Sequence, residues 1–124
     1  MHVEQRVSLG FQDPAKLIEE LEPSLKQGYK AVKLRIGDTA KRDVERVAAV
    51  RKAFGDDLII LTDANTGYDI NAARAAMPGL EAQGVGWLEE PFPAQDYRAY
   101  AELRRYGGVP LAAGENRANV NFGY

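Results

Sequence analysis

At 124 residues, 45% hydrophobic and 27% charged, the chain has the composition of one soluble globular domain. Sixteen basic and eighteen acidic side chains leave a net charge of −2, without the basic excess that nucleic acid or an anionic membrane surface requires. Cysteine is absent, which excludes disulfides, thiolate metal sites and thiol catalysis. The opening MHVEQRVSLG lacks the profile of a signal peptide, and no apolar run approaches the ~18 residues of a membrane span. The expectation is a soluble cytoplasmic protein with neither a nucleic-acid nor a membrane partner.

A first β-type run, Val3 to Phe11, alternates Val3, Gln5, Val7, Leu9 and Phe11 on one side. Asp13-Pro14 then supplies an N-cap and a proline at the first helical position. Leu17, Ile18, Leu21 and Leu25 recur at helical spacing, Pro23 predicts a kink or an early end, and Gly28 closes the segment. The second run is Tyr29 to Ile36, followed by a helix from Thr39 to Phe54 with Val44, Val47 and Val50 on its apolar stripe, and a turn at Gly55-Asp56-Asp57. Leu58 to Leu61 is apolar on both faces, as a parallel strand covered by helices is. Asp69 caps a third helix through Leu80, with a kink expected at Pro78. Val85 to Glu89 is the fourth run, and a helix carrying Tyr97, Tyr100 and Leu103 follows. Gly107-Gly108 ends it before a fifth run, Val109 to Ala113.

The order βαβαβαβαβ predicts a parallel α/β sheet, either an open doubly wound sheet or part of a barrel. The acidic residues favour the barrel. Asp63, Glu89 and Glu115 end the last three runs, each 26 residues after the one before, so one βα unit separates neighbours. Active groups of parallel barrels lie at that strand end. By strand alternation Ile59, Leu61 and Asp63 share a face, as do Val85, Trp87 and Glu89. On the second run Ala31, Lys33 and Arg35 oppose the aliphatic face of Val32, Leu34 and Ile36, which turns the two cations toward the carboxylates. Acidic residues at strand ends commonly serve as helix caps or solvated loop charges. Three in register would repel one another, and a hard divalent cation such as Mg²⁺ relieves that cost.

At these residues the sequence resembles the mandelate racemase and muconate lactonizing group of the enolase superfamily. The matching motifs are Gly28-Tyr29-Lys30-Ala31-Val32-Lys33-Leu34-Arg35-Ile36-Gly37, Asp63-Ala64-Asn65, Trp87-Leu88-Glu89-Glu90-Pro91 and Gly114-Glu115-Asn116. The resemblance implies a (β/α)₇β barrel of the TIM type with Mg²⁺ held by Asp63, Glu89 and Glu115. It also implies abstraction of the proton α to a substrate carboxylate, with the enediolate stabilised by the metal. Lys33 and Arg35 would be the catalytic cations and, with Asn65, contact a small-molecule carboxylate such as a sugar acid.

One motif departs from the family's pattern. The family's Lys-x-Lys has a second lysine that serves as general base, and Arg35 stands there; a guanidinium stays protonated and acts as an electrostatic clamp. A histidine–aspartate pair on later strands would then be the base, and the single histidine here is His2. Dehydration of an α-hydroxy acid is therefore favoured over racemisation, with the muconate-cycloisomerase type as a further variant. A full barrel takes ~250 residues, so residues 1–124 are read as one partial domain of about five strands and four helices. The later strands and a capping domain are expected elsewhere, in a homo-oligomer. Two further readings compete: a non-catalytic, self-associating half-barrel with open edges, and a metal-independent phosphate-binding barrel, which leaves the three aligned carboxylates unexplained. Trp87 reads as a barrel-core residue, Glu90 as an ion-pair partner, and Tyr97, Tyr100 and Tyr106 as packing residues. Tyr68 reads as either a loop anchor or a substrate contact, and Arg117 as a substrate contact.

Overall fold

The computed structural model of the chain describes residues 5–7 and 10–112, so His2, Gly114, Glu115, Asn116 and Arg117 lie outside the described residues. The element order is β1 (Gln5–Val7), α1 (Pro14–Lys26), β2 (Ala31–Arg35), α2 (Ala40–Phe54), β3 (Ile59–Asp63), α3 (Ile70–Ala82), β4 (Leu88–Glu89), α4 (Tyr97–Tyr106) and β5 (Leu111–Ala112). All strands pair in parallel, in the order β1-β2-β3-β4-β5. A doubly wound sheet reverses its strand order at a switch point. This one does not, and since crossovers are right-handed, successive helices fall on one face. They pack there in sequence, α1 on α2, α2 on α3 and α3 on α4. The result is the arrangement of a barrel wall, with helices outside and a second sheet face inside.

Local chemistry sets each helix start. The side chains of Asp13, Thr39, Asp69 and Asp96 accept hydrogen bonds from the amides of Lys16, Arg42, Ala72 and Ala99. Pro23 and Pro78 do not end their helices, since α1 continues to Lys26 and α3 to Ala82. Both prolines and the residues four positions earlier, Glu19 and Arg74, are exposed. Water can serve the carbonyl that each proline leaves unpaired.

The core lies between sheet and helices. Val32, Leu34 and Ile36 are no more than 1% exposed and pack with Leu17, Leu21, Val47, Val50, Ile60, Leu80, Leu88 and Leu103. Lys33 and Arg35 occupy the other face, as alternation requires. At Gly79 the α3 backbone meets the Val44 side chain of α2: a Cβ there would stand 2.5 Å from Val44 Cγ1. Arg51, near the end of α2, ties the opposite end of the sheet together. Its guanidinium donates to the carbonyls of Gln83 (2.8 Å), Gly55 (3.0 Å) and Leu58 (2.5 Å).

Several strands are shorter than the apolar runs suggest. Phe11 stands beyond β1, 51% exposed, with the Arg46 guanidinium 5.4 Å from its ring. Val85 does not share a strand face with Trp87 and Glu89. It precedes β4 and packs in the core beside Leu88, while Trp87 is only partly buried outside that cluster. The cause is Gly86, whose amide bonds Ile60 O (2.8 Å) and whose missing Cβ leaves room for Leu61 Cδ2. Among the helix tyrosines only Tyr100 packs inside, donating to Phe92 O (2.8 Å); Tyr97 is 71% exposed, and Tyr106 is 46% exposed beside Arg74.

Candidate metal and acid site

β2, β3 and β4 align Arg35, Asp63 and Glu89 in one row across the sheet, since Arg35 is the register partner of Asp63 and Asp63 that of Glu89. The row stands at the carboxyl ends of the strands. Adjacent strands are ~4.8 Å apart, so the two carboxylates emerge side by side. Both are buried, Asp63 at 7% and Glu89 at 6% exposure. Two residues below the row, on the same face of β2, Lys33 reaches across to Glu89 Oε1 at 3.5 Å. Two carboxylates and two cations of the sequence reading are thus brought together.

Asn65 arrives differently from the simple alternation. β3 stops at Asp63, and Asn65 and Thr66 both adopt left-handed backbone, φ 46° and 63°. The Asn65 side chain is exposed, and its backbone N–H donates to Asp63 Oδ1 at 2.9 Å. That bond gives the Asp63 carboxylate a defined direction. The turn is tied to the next strand end by Ala64 N to Glu89 O (2.9 Å), Thr66 N to Glu90 O (2.6 Å) and Tyr68 N to Pro91 O (3.1 Å). Glu90 is also left-handed, φ 47°, which separates its course from that of Glu89.

A second polar cluster, behind this row, is absent from the reading of the sequence. Asp43, in the first turn of α2, is fully buried. Its Oδ2 accepts from Gly37 N (3.0 Å), Asp38 N (3.1 Å) and Tyr68 Oη (2.5 Å), and its Oδ1 from Arg46 Nη1 (3.0 Å). Arg46 also binds Asp38 Oδ2 (3.0 Å) and Gln12 O (2.7 Å). Burial holds the Asp43 carboxyl above its ordinary value, against the opposing pull of Tyr68, Gly37 and Arg46. Burial and the bond to Asp43 push the Tyr68 phenol upward, so it remains a donor throughout the neutral range. Tyr68 is therefore a loop anchor. The available signal was position: Asp43 falls on the Val47–Val50–Phe54 stripe of α2, a place for apolar side chains unless a carboxylate finds partners.

Among the described residues, no group of three or more His, Cys, Asp and Glu side chains is placed to hold a metal ion. Two of the three expected ligands stand together, and the third, Glu115, lies outside the described residues. Two adjacent buried carboxylates offer hard oxygen donors of the kind Mg²⁺ takes, so the residues present fit such an ion.

A parallel barrel wall with a buried carboxylate pair at its strand ends defines a class of barrel protein whose acidic groups stand at the end where parallel barrels carry their active groups. Comparison with known proteins narrows this. The family described as Enolase C-terminal domain-like matches residues 16–121. The chain therefore belongs to the enolase superfamily, in its mandelate racemase and muconate lactonizing group. It is 33% identical over 108 residues to N-succinyl-L-Arg/Lys racemase of Bacillus cereus, covering 86% of this chain and 29% of that protein. It is 36% identical over 89 residues to D-galactarolactone cycloisomerase of Agrobacterium fabrum, covering 72% and 24%. With L-talarate/galactarate dehydratase of Salmonella typhimurium it shares 31% over 101 residues, covering 81% and 25%.

Among solved structures, a member of the enolase superfamily from a Polaromonas species superposes with a TM-score of 0.84 at 47% identity, covering 90% of this chain and 31% of that one. A racemase from Streptomyces coelicolor with bound magnesium gives 0.82 at 31% identity, covering 90% and 32%. The chain spans between 24% and 32% of the length of these proteins. The relatives are lyases and isomerases of one superfamily, whose names carry three different reactions.

Proposed function

We propose that the protein binds Mg²⁺ through Asp63, Glu89 and Glu115 and removes the proton α to the carboxylate of a sugar acid, in a dehydration. The observation that carries this reading is the side-by-side burial of Asp63 and Glu89 at the strand ends, with Lys33 and Arg35 on the neighbouring strand. Bound there, Mg²⁺ supplies a Lewis acid that holds the substrate carboxylate and offsets the charge that develops as the α proton leaves. The chain's own residues orient and neutralise. Lys33 and Arg35 add positive charge beside the substrate carboxylate, and the exposed Asn65 side chain offers a hydrogen bond at the rim. A guanidinium offers donors and no acceptor, so Arg35 is a clamp and not the base. The proton is taken by a residue of another part of the barrel, for which a histidine–aspartate pair is the reading. With one face of the α carbon served by a clamp rather than a base, expulsion of a β-hydroxyl is favoured over inversion.

The test is calorimetric titration of the protein with Mg²⁺, using Asp63→Asn as the comparison. Binding that weakens at least about tenfold in the variant supports the reading, since one charged ligand is worth this much or more. Equal binding by both proteins sinks it.

A further inference from the structure

The chemistry above does not use Asp43, yet this carboxylate is fully buried behind the strand ends and collects donors from separate loops. We propose that Asp43 and Tyr68 are positioning residues, a latch between the β2–α2 and β3–α3 loops that fixes the direction of the Asp63 carboxylate. The proposal rests on the reading of Asp63 as a metal ligand for its effect on Mg²⁺, but not for its effect on the loop.

One oxygen joins the two loops: Asp43 Oδ2 takes the Gly37 amide from one and the Tyr68 hydroxyl from the other. Between these anchors the backbones touch. A Cβ on Gly67 would stand 2.7 Å from Gly37 O, and one on Gly37 2.5 Å from Ala64 O. There is no slack for the β3–α3 loop to move inward, and the latch keeps it from moving out.

The loop needs that restraint because it is locally unfavourable. Asn65 and Thr66 are consecutive non-glycine residues in left-handed backbone, and Thr66 is β-branched. The Asn65 N–H reaches Asp63 Oδ1 while that turn is held. Hydrogen bonds from Thr66 and Tyr68 hold it from the β4 side, and Asp43 holds it from the β2 side. Arg46 extends the same network to Gln12 in the β1–α1 loop. Four loops at the acidic face thus converge, directly or through one intermediary, on the Asp43–Tyr68 contact.

Tyr68→Phe keeps the buried ring and removes the contact. Hydrogen exchange of the 63–68 segment, followed in the whole protein without metal, is expected to rise about tenfold, the effect of losing one hydrogen bond to a charged acceptor. Mg²⁺ affinity is expected to fall about three- to tenfold. Leu103→Ala, a core truncation on α4, is the control for general destabilisation and should leave exchange at 63–68 near the wild-type rate. Unchanged exchange in Tyr68→Phe overturns the latch, as does an equal rise in Leu103→Ala. Faster exchange with unchanged Mg²⁺ affinity overturns the claim that the latch aims Asp63. If the wild-type protein takes no Mg²⁺ while exchange responds as expected, the metal reading falls and the latch stands.

Discussion

A carboxylate in the position of Asp43 meets an N–H or O–H on every side described for it, which makes its replacement by an amide informative. Asp43→Asn would set an NH₂ group against at least one of these donors. It is expected to cost about 2 kcal/mol of stability near neutral pH. Since burial raises the Asp43 carboxyl above its ordinary value of 3.8, the folded chain holds this proton more tightly than the unfolded one. The associated stability is complete below the unfolded value and is lost as pH rises through the folded one. Urea denaturation of both proteins from about pH 3 to about pH 7 should therefore show a wild-type advantage that shrinks as pH rises. An advantage that grows with pH would reverse the assignment. At Gly37, φ is 108° and Ala64 O fills the place of a side chain; Gly37→Ala is expected to lower stability by about 2 kcal/mol or more in the same assay.

At the scale of single elements, proline gives the cleanest test. Pro23 sits inside α1 with its side chain in solvent, so α1 lacks one helical hydrogen bond to Glu19. Pro23→Ala should raise stability by about 1 kcal/mol, the gain in helix propensity less the added freedom of the unfolded chain. A loss would show that the proline ring supports packing. Helix starts were legible because aspartate and threonine caps act within a few residues, and α2 ends at Phe54 before Gly55 as read. Strand limits were less so. Val85 looks like the start of β4 in sequence, but Gly86 admits Leu61 and breaks the alternation, which depends on a neighbour 25 residues away. The alignment of Asp63 with Glu89 was visible in their spacing because parallel strands joined by regular units keep residues at one height, and Arg35 was placed beside them by strand alternation. The Asp43 network was not, because its partners come from two separate loops and from a second residue of α2. Asn65 shows the same limit: it stands two residues after Asp63, where strand alternation would give a shared face, and a left-handed turn intervenes.

Across the whole molecule, the two ends of the sheet do different work. The carboxyl ends carry the acidic row and its loops; the opposite end is fastened by Arg51, which bonds carbonyls near the end of α2, at the start of β3 and after α3. Arg51→Ala should cost about 1–3 kcal/mol in thermal or chemical denaturation while leaving Mg²⁺ affinity unchanged. A parallel loss of affinity would show that the two ends are coupled. Curvature is the remaining property of the whole, and the contact of Gly79 with Val44 bears on its degree. Strands in a sheet are ~4.8 Å apart and packed helices 8–10 Å apart, so a wall with its helices on one side must arc. The arc per unit grows with the spacing of the helices. By leaving room for the Val44 side chain against the α3 backbone, Gly79 keeps that wedge narrow. A bulkier residue there would open the wedge and bend the sheet more sharply, changing how many further units could complete the circle.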